Sequence, residues 1–175
     1  MGWERTTGAA APRVAIAPGS DAVVPGIADL ARVWMDRWRA AAPLVDWRQV
    51  ADTASAQIII TAVPRLPDVG ASTLHGVTLR SVNRTTCRII SARIFVGLES
   101  AGGQRIPLEE QSSNLAHELG HALGLEHVPT EEAIMAARSV TRSSTLHPAD
   151  VIAVRTLMRR TAPTVVARAK GADLP

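Results

Sequence analysis

From Asp21 to about Ala41, apolar residues recur at three- and four-residue steps: Ile27, Leu30, Trp34, Trp38 and Ala41. That period lines up one face of a helix, so the segment is expected to be amphipathic, capped by Ser20 or Asp21. Pro25 would sit in its first turn, where the missing N–H costs nothing. Trp34 and Trp38 fall one turn apart on the inner face, as core residues do. Gln57–Val63 is short, β-branched and followed by Pro64, the pattern of a buried strand that ends there. After the turn-rich stretch Leu66–Ser72, rough alternation in Leu74–Val82 and Arg88–Leu98 predicts two more strands, and Val14–Ala17 offers another before the first helix. A second helix is expected over Glu109–Leu125, with Leu115, Leu119, Ala122 and Leu123 on its apolar side and Gly124 as a stop signal. The third runs from about His147 to Arg159, with Pro148 at its first position. Strand, helix, three strands and a helix outline a small α/β domain whose sheet is covered by helices.

Glu126–Leu146, between the last two helices, has little periodicity. A loop of that length inside a compact domain is usually functional or disordered. With 175 residues the chain is long enough for one hydrophobic core, and a single domain over 13–161 is expected between loose ends at 1–12 and 162–175. The single cysteine, Cys87, excludes a disulfide framework and is expected to be a buried small apolar residue. Lys+Arg 19 against Asp+Glu 16 gives a net charge of only +3, and the arginines are scattered, so no nucleic-acid partner is expected. No stretch approaches the length of an apolar membrane span and the first residues lack the apolar core of a secretory signal, so no membrane partner is expected either.

The candidate chemistry lies in His117-Glu118-Leu119-Gly120-His121-Ala122-Leu123-Gly124-Leu125-Glu126-His127. On a helix, His117 and His121 rise one turn above each other on the same face and can close on one metal ion. His127 could not reach back from a straight helix. Gly124 supplies the remedy, because a residue without a Cβ can enter the left-handed conformation that ends the helix and turns the chain toward the metal. Three imidazoles with an open fourth position suit one catalytic Zn2+ better than a structural ion closed by four protein ligands. Zinc lowers the pKa of bound water to about 7, and Glu118, next to the first ligand, is the natural general base.

His117–His127 has the long zinc-binding pattern His-Glu-x-x-His-x-x-Gly-x-x-His and resembles the metzincin metallopeptidases, most of all their matrixin-like branch. Met135, in Ala133-Ile134-Met135-Ala136, looks like the Met-turn that metzincins place beneath the metal. Asp46-Trp47-Arg48 ahead of Ile58-Ile59-Ile60 looks like the segment leading into a matrixin-like sheet, and Leu146-His147-Pro148-Ala149-Asp150 is similar to the start of the C-terminal helix. The resemblance implies an α/β zincin-type fold (α+β): a twisted, mostly parallel five-stranded sheet with an antiparallel edge strand near Leu74–Val82, a backing helix, an active-site helix and a C-terminal helix. It further implies a zinc endopeptidase acting on an extended protein or peptide substrate, monomeric and extracellular, although the chain as given shows no signal peptide. Substrate would lie along the edge strand at Gly76 and Val77, and Ala136–Leu146, beginning with Ala136 and Ala137, would wall the main pocket. The alternative is a catalytically silent, metzincin-like peptide-binding or regulatory module.

The departures narrow the resemblance. The chain contains no tyrosine, so the tyrosine that astacin-like and serralysin-like members bring to the metal has no counterpart. No Asp/Asn-rich loop is evident, and structural calcium is not expected. His75 and His147 are left outside the site.

Overall fold

Alternate residues of the central strands are buried, which is what positions two helices over one face of a sheet. The computed structural model describes residues 3, 11–66, 75–100, 102–137 and 143–161. In chain order the elements are β1 (Arg13–Ile16), α1 (Ser20–Val23), α2 (Ile27–Ala41), β2 (Arg48–Gln49), a 3-10 turn at Thr53–Ser55, β3 (Ile58–Arg65), β4 (Gly76–Asn83), β5 (Arg88–Glu99), α3 (Leu108–Leu123) and α4 (Pro148–Thr161). The sheet order is β2-β1-β3-β5-β4. All neighbours are parallel except β4 and β5, so β4 is an antiparallel edge strand, as the resemblance implied. This is the mixed five-stranded sheet with helices of an α/β zincin fold.

Ile58, Ile60 and Ala62 of β3 and Ala92, Ile94 and Val96 of β5 face the helices and are buried. Against them pack Ile27, Ala31, Trp34, Met35 and Trp38 of α2 and Leu115, Ala116, Leu119 and Ala122 of α3. Both tryptophans are wholly enclosed, and each satisfies its indole N–H on α3: Trp34 donates to Ser112 Oγ at 2.8 Å and Trp38 to the Ala116 carbonyl at 3.2 Å. A buried indole with an unpaired N–H would forfeit part of its packing gain, so these bonds fix α2 against α3 in one register. At the far side, Arg155 Nε of α4 donates to the Ala41 carbonyl at the end of α2 (2.7 Å).

Four expectations are corrected. The first helix is two helices, because Pro25-Gly26 breaks it: Gly26 takes φ 77 as the cap of α2, and its N–H donates to Asp21 Oδ1 at 2.8 Å. Ser20 does not cap a helix with its side chain: Gly19 is the N-cap of α1, and the buried Ser20 Oγ accepts the Ala62 N–H at 3.1 Å. Strand β3 runs through Pro64 to Arg65; beyond Ile60 it has no paired strand on the β1 side among the described residues, so a residue without an N–H is tolerated there. Cys87 is exposed, with φ 53, in the turn joining β4 to β5. Turn geometry, not the small apolar side chain, decides its place.

Trp3, within the segment 1–12, forms a parallel bridge with Ile89 and donates its indole N–H to the Ala122 carbonyl on α3 at 2.9 Å. Leu74, most of the connection Leu66–Ser72, and residues 138–142 of the long loop lie outside the described residues.

Candidate metal centre

Helix α3 crosses the core with its apolar side inward and brings His117, Glu118 and His121 to the cleft between itself and β4. It ends where expected. Gly124 has φ 104; its N–H donates to the His121 carbonyl (2.9 Å) and Leu125 N–H to the Gly120 carbonyl (3.0 Å). This pair of bonds reverses the chain within one turn and returns His127 to the two helical histidines.

The three imidazole rings converge. Their centroids are 4.6 Å apart for His117 and His121, 5.2 Å for His117 and His127, and 4.9 Å for His121 and His127. One ring nitrogen from each lies within 4.8 Å of the others. His121 Nε2 and His127 Nε2 are 3.2 Å apart, close to the roughly 3.4 Å that separates two nitrogens bound at about 2.1 Å to one tetrahedral ion. The donor set therefore fits zinc.

Backbone carbonyls set the tautomers. His117 Nδ1 donates to the Ile134 carbonyl at 2.6 Å and His121 Nδ1 to the Leu125 carbonyl at 2.9 Å. A carbonyl can only accept, so both rings carry their proton on Nδ1 and turn an Nε2 lone pair toward the centre. Burial lowers the pKa of His117, opposed by its bond to Ile134. Burial also brings His121 down to about 4, opposed by its bond to Leu125 and assisted by the charges of His117, His127 and Arg80. Neutral imidazole is the ligating form, and both shifts favour it.

Glu118 is only 6% exposed. Its Oε2 accepts the Thr78 hydroxyl at 2.6 Å, while a Cβ at Gly76 would stand 2.8 Å from Glu118 Cγ and Oε1. Gly76 and Thr78 are alternate residues of β4 on the face toward α3, so this strand grips the carboxylate from one side. Burial pushes the Glu118 carboxyl up to about 7, against the lowering effect of the Thr78 hydrogen bond. Val77, between the two, pairs with Phe95 and faces the opposite side of the sheet.

Met135 is fully buried against Gly120, where a Cβ would collide with its Sδ and approach Trp38 Cζ2 to 3.2 Å. The segment carrying Met135 is held by one buried carboxylate. Asp150 accepts the N–H groups of Ile134 (2.9 Å), Met135 (2.9 Å) and His147 (2.9 Å). It thereby fixes the Ile134 carbonyl that orients His117. Val128 N–H donates to the Met135 carbonyl at 2.9 Å and closes this loop beside His127. Ala136 is buried and Ala137 exposed.

Matrixin is the family whose sequence model matches this chain, over residues 108–159. This segment is matrixin-like. It extends from the first residue of α3 through the three histidines and Met135 into α4, and it includes Asp150 but not β4. No curated protein matches the chain. Matrixins are zinc metallopeptidases, and the histidine cluster fits their metal-binding pattern.

Thr78, Gly120 and the anchoring role of Asp150 escape the sequence reading. Asp150 had a signal: it stands three residues after His147, ahead of an apolar run, and its bond to His147 N–H is the returning half of a helix capping box. Gly120 had one too, since a glycine inside a helix is unfavourable by about 1 kcal/mol and marks a close approach. Thr78 had none beyond sharing a strand face with Gly76. His75, left out of the site, has Nδ1 2.6 Å from Glu110 Oε1 beside the start of β4.

Proposed function

We propose that the chain is a zinc-dependent endopeptidase that cleaves extended polypeptide bound along β4. The observation that carries this reading is the convergence of three imidazole nitrogens beside a buried, clamped carboxylate. His117, His121 and His127 would hold the ion, and Met135 would form the floor of the site as a Met-turn, with Gly124 supplying the bend. Zinc, when bound there, would polarise a peptide carbonyl and acidify water. Glu118 takes the water proton and passes it to the leaving amine; a carboxyl near neutrality serves both directions. Thr78 keeps the carboxylate in one orientation while that proton moves. Among the described residues β4 has a neighbour on one side only, so its outer edge offers backbone N–H and C=O groups to an added strand. Gly76 and Val77 are the proposed contacts for substrate backbone, with Ala136 and Ala137 at the wall of the main pocket.

The working unit is proposed as a monomeric domain over 13–161, with 162–175 as an appendage and 1–12 as a segment that Trp3 fastens to the domain. Among the described residues no helix is long and apolar enough to cross a membrane. Extracellular action is the proposal that the family resemblance supports.

A mixed peptide library incubated with zinc-loaded protein, with chelator, and with the Glu118→Ala variant tests the reading. Cleavage is expected with zinc, is lost to chelator, and falls about 10²- to 10⁴-fold in the variant while zinc is retained. An uncut library with zinc-loaded wild type removes the peptidase reading. Wild-type rates in zinc-loaded Glu118→Ala remove Glu118 from the mechanism.

A further inference from the structure

One ion pair ties the edge strand to the turn that carries the third histidine. The inward positions of β4 are Gly76, Thr78 and Arg80, alternate residues of one strand. The first two meet Glu118, as described above. Arg80 reaches further: its Nη2 lies 2.9 Å from Oε1 of Glu126, the residue directly before His127. The two partners are unequal, with the Arg80 side chain 22% exposed and that of Glu126 72% exposed. Arg80 Nη1 is buried without a hydrogen-bond partner among the described residues. The charge of Arg80 also bears on His121.

These facts set the direction of the interaction. An exposed pair of long side chains contributes little, because water replaces either partner. Arg80 is mostly covered on the sheet and Glu126 mostly exposed, so Arg80 is the better-fixed partner and the carboxylate is the one that is placed. Past Gly124 the chain has left its helix; Leu125 is still tied, its N–H to the Gly120 carbonyl and its carbonyl to His121 Nδ1, and the next described backbone tether is Val128 N–H on the Met135 carbonyl. Glu126 and His127 sit between those two points.

We propose that Arg80 is the positioning residue for the third metal ligand: through Glu126 it sets where His127 stands relative to His117 and His121, so that the edge strand completes the metal site. This rests on the zinc-binding part of the function proposed above and is independent of peptide cleavage. β4 then does two separate tasks, holding the carboxylate through Thr78 and the ligand turn through Arg80.

Zinc affinity, measured by competition with a chromogenic chelator, and the visible absorption of the Co2+-loaded protein test the proposal on Arg80→Met, Arg80→Lys, Glu126→Gln and the Arg80→Met/Glu126→Gln double variant. Arg80→Met and Glu126→Gln are each expected to weaken zinc about 10- to 100-fold, the usual effect of losing a group that orients a ligand. The double variant is expected to bind no more weakly than the weaker single, because both remove one link. Arg80→Lys should recover part of the affinity, and the cobalt band should lose intensity in Arg80→Met and Glu126→Gln while the metal-free melting temperature of Glu126→Gln stays at that of wild type. Should Arg80→Met fail to fold, Glu126→Gln decides alone, since its side chain is exposed. Wild-type zinc affinity and cobalt absorption in Glu126→Gln overturn the proposal. A wild-type protein that takes up no zinc overturns the metal-site reading and this inference together, a result distinct from zinc uptake that the variants leave unchanged.

Discussion

Asp150 illustrates how much of the centre depends on groups that touch no metal. It is wholly buried, yet each carboxylate oxygen is used, with three N–H donors from Ile134, Met135 and His147. Asp150→Ala would leave those donors enclosed without partners, each unsatisfied buried group costing about 1–3 kcal/mol. Loss of at least about 3 kcal/mol is expected in urea unfolding of the metal-free protein, with Asp150→Asn in between because one acceptor oxygen survives. Gly120 is the complementary case. Gly120→Ala gains about 1 kcal/mol of helix propensity but drives a methyl group into Met135 and Trp38, and overpacking of this kind costs about 1–3 kcal/mol. A lower melting temperature than wild type is therefore expected; a higher one would mean that Met135 moves aside freely. His117, Glu118, His121 and His127 were legible because they share one short stretch whose spacing is itself geometric. Thr78 was not, since its partner Glu118 is 40 residues away, and no local pattern encodes a contact made only when β4 meets α3.

Among the elements, α3 was read closely because its apolar period and its glycine stop agree. Gly124→Ala tests that stop. At φ 104 a Cβ is strained, and the left-handed conformation costs a non-glycine residue roughly 1–2 kcal/mol. Stability should fall by about that amount and zinc should bind more weakly, read by equilibrium unfolding and by chelator competition; unchanged zinc binding would separate the bend from the placement of His127. Pro25-Gly26 shows the ambiguity of the same kind of signal. Proline in a first turn and proline at a break look alike in sequence, and the decision falls to Gly26, whose N–H finds Asp21. β2 is two residues long and was not read as a strand: the resemblance implied a fifth strand without placing it, and Arg48 and Gln49 are too short a stretch to show a strand period. The long loop after Gly124 shows little periodicity, and its described stretch at Ile134 and Met135 is held by Asp150, a residue of the following helix.

Taken together, the core needs no metal. Sheet, α2 and α3 bury a continuous apolar cluster containing Trp34, Trp38, Ile58, Ile60, Ile94, Leu115 and Leu119, and at this length one such core suffices for folding. The metal-free protein is expected to stay folded and melt cooperatively. Zinc at about 1,000 times its dissociation constant would then add about 4 kcal/mol, so a thermal melt should shift upward with zinc and return with chelator. Equal melts in both conditions would remove the ion from the folded state. The antiparallel edge strand came from resemblance to matrixins, and the order of the strands was not read at all, because periodicity can mark a strand but not name its neighbour. The anchoring of Trp3 adds a mechanical corollary. Its indole is fastened to the Ala122 carbonyl, in the same helical turn as His121. A polypeptide fused upstream would therefore pull, through Trp3, on the helical turn that carries His121, one of the proposed zinc ligands.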